Sequence, residues 1–438
     1  MNVKIITLGC KLNFYESCAL SEACAHLGMQ VVSNGAADVI IINSCAVTGK
    51  AGMQSRQAVR REIRNNPNAR VIMTGCYAQY EPDIAAAIDG LRAVVGNAGK
   101  AEIPQWLSGD GRMGSQFPVR FGFAGEMPVA ALRARHSLGR TRAFMKIQDG
   151  CSAFCSYCII PYLRGRPRSL PMDDVVAEAV QLEDNGYREL VLTGIHLGQY
   201  GIDGGTKDGL VDLLRLLCMH TTMRVRLGSL QPPEISPALL ELLCDEDNNL
   251  CEHLHLSLQS ANDEVLAAMG RPYGQRDIVS LVEIIRNRNS RVTMGADIIV
   301  GFPTESRAAF ADTSQVLADL PLAYLHVFPY SPRPGTAAAG LPDKISAAEK
   351  KDRSAMLLAM AANKKRDHYR HCLNQPLKVL AEEKAVMDNR GSGLVGYSRN
   401  YLSVFIVVPA TQIASCLNHE HQVIPRHYDD TMLLADLS

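Results

Sequence analysis

The stretch Cys151-Ser-Ala-Phe-Cys155-Ser-Tyr-Cys158 places three cysteines within eight residues, spaced Cys-x3-Cys-x2-Cys. Thiolates at this spacing on one loop can reach three corners of a cubane iron–sulfur cluster, whose irons are normally held by four Cys thiolates. Three ligands leave one iron open to another molecule. One rival is three buried, inert thiols, because free Cys is among the most buried residue types. The other is tetrahedral zinc, which usually requires a fourth Cys or His at ribbon-like spacing. We call these three cysteines the central trio.

A second set of three cysteines follows three predicted strands in the first third of the chain. The strands and the cysteines after them are 3–8 with Cys10, 38–42 with Cys45, and 70–73 with Cys76. Helix patterns alternate with these apolar strands, which predicts a parallel sheet with helices on its faces. The carboxyl ends of parallel strands meet at one edge, where ligands bind. We therefore expect these cysteines, the amino-terminal trio, to converge there. A buried structural thiol is the commoner outcome for any one of them, but three in equivalent loops indicate a second metal site.

Six further strand patterns alternate with helix patterns across the middle of the chain. They cover Ala143–Ile147, Glu189–Thr193, Met223–Leu227, His253–Leu258, Val292–Val300 and Leu322–Phe328. Six such units fit an open partial barrel better than a closed eight-stranded one. The central trio follows the first strand, at the mouth where α/β barrels keep their active sites.

Other loops predicted at this mouth carry glycine or polar residues. Gly194, Ser257, Gln259 and Gly301 are the most notable, although each alone is typical of a turn. Three arginines beyond the central trio are equally consistent with pairing to phosphate or carboxylate groups and with a solvated surface loop. They are Arg164, Arg166 and Arg168. Three histidines lie on predicted strands, where a core or lining role is commoner than metal ligation. They are His253, His255 and His326.

The end of the chain changes character. Residues 345–371 have the pattern of a long basic helix, and Leu377–Ala381, Gly393–Tyr397 and Tyr401–Val408 read as short strands. Short strands with Gly and Asn turns predict a small β-barrel. Its tyrosines at 397 and 401 are as consistent with stacking on RNA bases as with a half-buried strand pair.

Composition bounds the class of protein. The chain has 438 residues, with 45 basic and 45 acidic side chains, which argues against a strongly basic nucleic-acid coat. Its thirteen cysteines accompany neither a secretory signal pattern nor an apolar run long enough for a transmembrane helix. This combination predicts metal-bound thiolates in a reducing, cytoplasmic setting.

These patterns predict an α/β protein in four parts. Residues 1–115 form a parallel α/β sheet domain, 116–140 a linker, 141–374 a partial (β/α)6 barrel, and 375–438 a small β-barrel.

The chain resembles the methylthiotransferases of the radical S-adenosylmethionine superfamily over essentially its full length. Thr7-Leu-Gly-Cys10-Lys-Leu-Asn13, Asn43-Ser-Cys45-Ala-Val-Thr48 and Thr74-Gly-Cys76 match the amino-terminal domain of that family. The central trio, with Tyr157 before its last cysteine, Pro161 and Arg164-Gly165 after it, matches the family's core. Leu8-Gly-Cys10-Lys11 and Gly396-Tyr397-x2-Asn400-Tyr401 are closest to the branch acting on N6-threonylcarbamoyladenosine in tRNA. The last domain resembles the RNA-binding TRAM module, but Arg426-His-Tyr-Asp-Asp lacks the basic, glycine-rich finish of that pattern.

The resemblance implies two [4Fe-4S] clusters. The central trio, Cys151, Cys155 and Cys158, would carry the catalytic cluster, whose open iron takes S-adenosylmethionine and whose electron generates the 5′-deoxyadenosyl radical. The amino-terminal trio, Cys10, Cys45 and Cys76, would carry an auxiliary cluster holding the sulfur to be inserted. A second S-adenosylmethionine methylates that sulfur, and the methylthio group replaces hydrogen at C2 of the modified adenine next to the anticodon. Expected neighbours of S-adenosylmethionine are Tyr157, Gly194, Ser257, Gln259 and Gly301.

The implied partners are the anticodon stem-loop of tRNA, a reductant such as flavodoxin or ferredoxin, and a sulfur donor. Alternatives within the superfamily are methylthiolation of another tRNA adenosine or of an aspartate in a ribosomal protein. An alternative from another class is a non-catalytic iron–sulfur or zinc protein that binds RNA.

Overall fold

The computed structural model describes residues 1–109, 132–134, 141–245, 247–384, 391–429 and 431–437. The predicted linker therefore lies outside the described residues, except for 132–134. Within that short piece, the Ala134 amide donates to the Tyr15 hydroxyl at 3.2 Å, and Arg133 pairs with Asp174 at 2.5 Å. These contacts attach it to the first and second domains. The boundaries at 115, 140 and 374 stay predictions.

The amino-terminal domain is a five-stranded parallel sheet with the order β2-β1-β3-β4-β5. Its strands are β1 (Asn2–Thr7), β2 (Gln30–Val31), β3 (Val39–Ser44), β4 (Arg70–Gly75) and β5 (Leu91–Val95). Its helices are α1 (Lys11–His26), α2 (Gly49–Asn65), α3 (Cys76–Tyr80), α4 (Pro82–Ala86) and α5 (Ile103–Ser108). The central strand β3 is buried along its whole length because helices cover both faces. The predicted parallel sheet is confirmed, and β2 and β5 extend it at both edges.

Eight strands lie in the part of the central domain that the structure describes. They are β6 (Arg142–Asp149), β7 (Arg168–Ser169), β8 (Glu189–Gly194), β9 (Arg224–Leu227), β10 (Ser229–Leu230), β11 (His253–Gln259), β12 (Thr293–Val300) and β13 (Tyr324–Pro329). They pair in two runs, β7-β6-β8-β9 and β10-β11-β12-β13. The runs meet at Gly228, the single residue between β9 and β10, whose amide donates to Leu192 at 3.0 Å. The six long predicted strands thus form an open array, as a partial barrel requires.

Helices cover the outside of this array. They are α7 (Met172–Asp184), α8 (Gly209–His220), α9 (Pro237–Cys244), α10 (Asp263–Met269), α11 (Gln275–Arg288) and α12 (Arg307–Asp319). The short helix α6 (Ile160–Arg164) instead packs on the amino-terminal domain through Leu163. The apolar core between helices and strands is continuous from Ala143 to Leu357. The carboxyl ends of the strands stay uncovered and open toward the amino-terminal domain.

A 26-residue helix, α13 (Ala347–Cys372), leads from the central domain to the last one. The last domain is a closed barrel with the order β14-β15-β16-β18-β17. Its elements are β14 (Leu377–Lys384), β15 (Gly393–Ser398), β16 (Ser403–Val407), α14 (Ile413–Cys416), β17 (Glu420–Tyr428) and β18 (Leu433–Leu437). The predicted small barrel is confirmed, with β17 and β18 as strands that the sequence reading left out. Among the described helices, none combines the length and apolarity needed to cross a bilayer.

The barrel is held to the central domain by a buried ion cluster. Glu189 is fully buried and pairs with Arg224 at 2.5 Å and with Arg226 at 2.8 Å. Arg226 also donates to the carbonyls of Ser398 and Arg399 at 3.0 and 2.8 Å. Burial would raise the pKa of Glu189, but the two guanidinium groups hold it far below its usual range.

Candidate active site

All six cysteines of the two trios line one cavity of about 780 Å³. The cysteines lie at the carboxyl ends of strands from the first two domains, and Tyr401 of the last domain completes the cavity wall. A separate cavity of about 520 Å³ lies beside α13 and contains none of the six. The predicted convergence of two three-thiol sets therefore occurs, at the edge that parallel topology favours.

The amino-terminal trio is brought together by backbone loops that approach very closely. Cys10 is the residue before α1, Cys45 follows β3, and Cys76 is the first residue of α3. Gly9 and Gly75 adopt φ of +102° and +96°. A Cβ at Gly9 would lie 2.7 Å from Cys45 Sγ. The left-handed backbone and the lack of space both require glycine at this position.

Side-chain amides tie these loops to one another. Asn13 Nδ2 donates to the carbonyls of Leu8 and Ser44 at 2.8 and 3.0 Å. Asn43 Nδ2 donates to the Asn13 carbonyl at 2.9 Å, and the Ser44 hydroxyl donates to the Thr74 carbonyl at 2.5 Å. The asparagines and the serine thus satisfy backbone groups that the strand ends leave unpaired.

Burial makes several of the thiols weaker acids than a free cysteine. It raises the pKa of Cys45 to about 11 and that of Cys158 to about 12. It also raises the pKa of Cys10, against a smaller opposite effect of the Arg164 charge. These thiols are therefore neutral at physiological pH without a metal, and metal binding would release their protons.

The central trio lies on one loop, which α10 anchors. The Ser156 amide donates to the Met269 carbonyl at 3.0 Å, and its hydroxyl donates to the Ala268 carbonyl at 2.7 Å. Phe154 has φ of +44° and is more than half exposed. The loop is thus fixed between two of its cysteines while an aromatic ring stays in solvent.

Two cations contact individual sulfurs of this loop. His196 Nδ1 lies 3.2 Å from Cys151 Sγ, and its Nε2 contacts the Glu234 carboxylate. Burial lowers the pKa of His196, but the hydrogen bonds to Cys151 and Glu234 outweigh it and raise the pKa to about 9. Arg271 Nη1 lies 3.6 Å from Cys155 Sγ. Cys151 and Cys155 therefore each have a positively charged neighbour.

A buried ion network lies between the two trios. Arg164, 1 % exposed, pairs with Glu16 at 2.8 Å and with Asp149 at 3.1 Å. Lys146 contacts the same two carboxylates at 3.5 and 3.3 Å, and Lys100 contacts Glu16. With Arg168, which also contacts Asp149, four cations oppose two carboxylates, so the network leaves positive charge in excess beside the thiols. Burial would raise the pKa of Glu16, but these cations hold it well below its usual range.

The polar wall, formed by His253, His255, Asp297, Tyr324 and His326, lines the central-domain part of the cavity. Asp297 Oδ1 lies 2.8 Å from His255 Nε2 and 3.3 Å from His326 Nδ1. The Tyr324 hydroxyl contacts His253 Nε2 at 2.7 Å and His255 Nδ1 at 3.0 Å. These residues come from three neighbouring strands, β11, β12 and β13.

Three of the five predicted neighbours of S-adenosylmethionine line the cavity: Tyr157, Gly194 and Ser257. Gln259 and Gly301 are not among its lining residues. Gln259 ends β11 with φ of +67°. Gly301 packs against α13, where a Cβ would lie 2.3 Å from Lys350 Cγ. The structure thus gives Gly301 a packing reason that its loop position did not reveal.

The three arginines beyond the central trio differ in their burial and in their partners. Arg166 is exposed, whereas Arg164 is buried and Arg168 lies 3.8 Å from Asp149. The surface-loop interpretation is wrong for Arg164, because this residue is buried and pairs inside the protein. It also lines the cavity, so pairing with a phosphate or carboxylate group stays a prediction. Glu16, Glu234, Arg271 and Asp297 were missed entirely, since no local spacing links them to the cysteines.

The donor sets fit iron–sulfur clusters. Each trio offers three thiols to one shared space, and the glycine backbone beside Cys45 leaves no side chain in the way. Positively charged neighbours at Cys151 and Cys155 suit an anionic group.

Two family profiles match separate parts of the chain. The profile described as "Radical SAM superfamily" matches residues 145–317. The profile described as "Uncharacterized protein family UPF0004" matches residues 2–96. Each matched segment contains one of the two trios.

Similar proteins of known name cover most of the chain. One is the threonylcarbamoyladenosine tRNA methylthiotransferase MtaB of Aquifex aeolicus, 36% identical over 88% of this chain and 93% of its own length. Another is the tRNA-2-methylthio-N(6)-dimethylallyladenosine synthase of Agrobacterium fabrum, 31% identical over 95% of this chain and 94% of its own length. Among solved structures, the radical S-adenosylmethionine methyltransferase TsrM from Kitasatospora setae has a TM-score of 0.55 at 16% identity, covering 75% of this chain and 72% of that one. At that identity the likeness supports the fold alone.

Proposed function

The chain belongs to the radical S-adenosylmethionine tRNA methylthiotransferases, and on that premise we propose that it methylthiolates C2 of N6-threonylcarbamoyladenosine next to the anticodon of tRNA. The observation that carries the proposal is the shared cavity lined by both cysteine trios. A reaction that both breaks a C–H bond and inserts sulfur needs two reactive centres within reach of one base.

In this proposal the central trio holds a [4Fe-4S] cluster with an open iron, and the amino-terminal trio holds the auxiliary cluster. When bound, these clusters and S-adenosylmethionine supply the radical and the sulfur. The protein's own part is to hold and shield them. His196 and Arg271 orient and neutralise the sulfurs of Cys151 and Cys155. The excess positive charge of the network around Arg164 would balance the negative charge of the cluster on the amino-terminal trio.

The nature of the cavity wall supports the threonylcarbamoyl substrate. That side chain carries a carboxylate and a hydroxyl, whereas a dimethylallyl group is a hydrocarbon. The polar wall and Lys11 line the cavity, and their N–H and O–H groups can donate hydrogen bonds to such oxygens. The relative from Agrobacterium fabrum makes methylthiolation of a dimethylallyladenosine the second candidate.

The barrel supports the proposal less directly. As a TRAM-like module it would bind the anticodon stem-loop, but its two notable tyrosines are engaged within the protein. Tyr397 stacks on Tyr401 with ring centroids 5.3 Å apart. Arg142 and Arg226 cover these rings at 4.7 and 4.9 Å. The RNA contacts would therefore come from other parts of the barrel and the cavity rim. A flavodoxin- or ferredoxin-type reductant and a separate sulfur donor complete the proposed partners.

The test is mass spectrometry of tRNA nucleosides from a host lacking the gene. Deletion should abolish the 2-methylthio derivative of N6-threonylcarbamoyladenosine and leave the unmethylthiolated nucleoside in its place. The wild-type gene and a Cys24→Ala control should restore it, because Cys24 is buried in the first domain and does not line the cavity. A Cys76→Ala variant should not restore it.

An unchanged pool of that derivative would contradict the proposal. Loss of the methylthio-dimethylallyl nucleoside instead would select the second candidate. Unchanged tRNA with an unmodified ribosomal-protein aspartate would select the protein-directed alternative.

A further inference from the structure

The polar wall contains a set of donors that neither cysteine trio needs. His255, Asp297 and His326 lie on the adjacent parallel strands β11, β12 and β13, where Asp297 is the register partner of His326. One ligating atom from each, two imidazole nitrogens and one carboxylate oxygen, lies within 4.8 Å of the other two. All three residues line the cavity.

The spacing of these atoms fits ligands around one metal ion. Bond lengths of about 2.0–2.1 Å imply ligand–ligand separations of about 2.9 Å at right angles and about 3.4 Å at tetrahedral angles. His255 Nε2 and His326 Nδ1 lie 2.8 and 3.3 Å from Asp297 Oδ1. Two of the three separations thus match those of ligands around one ion, and the third, between the imidazole nitrogens, is at most 4.8 Å.

The tyrosine behind His255 provides the outer support that metal-binding histidines usually have. Tyr324 contacts His255 Nδ1 at 3.0 Å, which leaves Nε2 directed at Asp297. Tyr324 is in turn held by His253 at 2.7 Å. Such outer contacts fix ring orientation, and their loss typically costs about 10–100-fold in metal affinity.

Charge and donor type restrict the ion. Burial would raise the pKa of Asp297, but hydrogen bonds from His255 and His326 outweigh it and lower the pKa to about 2, so the carboxylate is ionised. Two imidazoles and a carboxylate with open positions suit a first-row divalent ion and do not match the all-oxygen sets of Mg²⁺ or Ca²⁺.

We propose that His255, Asp297 and His326 form a binding site for a first-row divalent cation, separate from both sets of thiols. Its open coordination positions face the cavity, so oxygen groups of a bound substrate can reach the ion. Binding replaces the hydrogen bonds that the two histidines make to Asp297 with bonds to the ion.

The test titrates Mn²⁺ into the protein after both clusters have been reconstituted. Mn²⁺ prefers oxygen and nitrogen donors to thiolates, so it reports on this site and not on vacant cysteines. Bound Mn²⁺ is counted by equilibrium dialysis and by its EPR signal, and Zn²⁺ should displace it. Neither tRNA nor S-adenosylmethionine is present, so the result does not depend on the proposed function.

We expect one Mn²⁺ per chain, with affinity lowered at least about 10-fold in H326A and in D297N. The first variant changes a half-exposed ring and the second an isosteric group, so folding should persist, and unchanged iron content verifies it. Tyr324→Phe should have a smaller effect in the same direction, and the exposed His220→Ala control none. The proposal is overturned if no Mn²⁺ binds up to millimolar concentration, or if H326A and D297N bind it as tightly as the wild type.

Discussion

The two cysteine trios reach the same cavity by different means. The central trio occupies one short loop, so its spacing in the sequence already places the three sulfurs together. The amino-terminal trio is assembled from three loops separated by more than 30 residues, and only the parallel order of β1, β3 and β4 unites it. The first depends on a local anchor at α10, the second on close backbone approach at Gly9 and Gly75. A substitution that disrupts one trio should therefore leave the other intact, unless it alters the ion network between them.

Removing one thiol from each trio in turn should distinguish the roles of the two trios most clearly. C151A should abolish both cleavage of S-adenosylmethionine and formation of methylthio product, because the open iron is lost. C76A should retain cleavage while methylthio product falls below detection. Both activities are measured by chromatography of 5′-deoxyadenosine and of digested tRNA. Cleavage surviving in C151A would break the assignment of the central trio.

The ion network is where the independence of the trios should fail. Arg164→Met removes the guanidinium that pairs with both Glu16 and Asp149 and leaves these buried carboxylates with the weaker contacts of the remaining cations. Breaking a buried ion pair typically costs about 3–5 kcal/mol. Urea denaturation should show a loss of this size, with iron bound less tightly at both trios. Arg166→Met, in the same loop but exposed, should change little; equal stability of the two variants would contradict the network's role.

Gly75→Ala should damage the amino-terminal trio alone. Its φ is +96°, and a Cβ would lie 2.6 Å from Asn43 Oδ1 and from the Ser44 carbonyl. Backbone strain of this kind costs about 1–3 kcal/mol, and the adjacent loop must also move. Reconstituted protein should lose about four irons per chain and keep cleavage of S-adenosylmethionine.

Gly28→Ala is the matched control. It shares the positive φ, +78°, but a Cβ there meets nothing within 4 Å. It should lose stability without losing iron. An equal loss of iron in both variants would show that backbone strain, and not the close approach to Asn43 and Ser44, is responsible.

His196→Gln should act on the central trio through pH. Hydrogen bonds to Cys151 and Glu234 raise the pKa of His196 to about 9 against the effect of burial, whereas its unfolded value is about 6.5. The stabilisation is therefore complete below pH 6.5 and is lost as pH rises through 9. In the metal-free, reduced protein this amounts to on the order of 2 kcal/mol.

Urea midpoints between pH 6 and pH 9.5 measure this contribution. Stability of the wild type should fall more steeply with pH than that of H196Q, while His220→Gln should follow the wild type. Parallel slopes for the wild type and H196Q would exclude a charged His196 beside Cys151.

The difference between the two trios also explains which parts of the site could be predicted from the sequence. Spacing identifies Cys151, Cys155 and Cys158, and strand ends identify Cys10, Cys45 and Cys76, because period and topology are visible in a linear chain. Contacts between side chains on neighbouring strands cannot be seen in the sequence. Asp297 contacts His255 and His326 only because of the register of β11, β12 and β13.

Loop position alone was a weaker guide. Gly194 and Ser257 line the cavity. Gly301 instead packs against Lys350 on α13, a helix about 50 residues further along the chain. The neighbours Gly165 and Pro167 indicate a loop, which predicts either a surface position for Arg164 or pairing with a phosphate or carboxylate group. The burial of Arg164 follows from Glu16, which lies in another domain.

The most direct test of two clusters on two trios is metal analysis of three anaerobically reconstituted proteins. The wild type should hold about eight irons per chain, two cubanes, and about four should remain when all cysteines of either trio are replaced by alanine. Zinc in place of iron, about four irons in the wild type, or an unchanged count after removal of a trio would contradict the account.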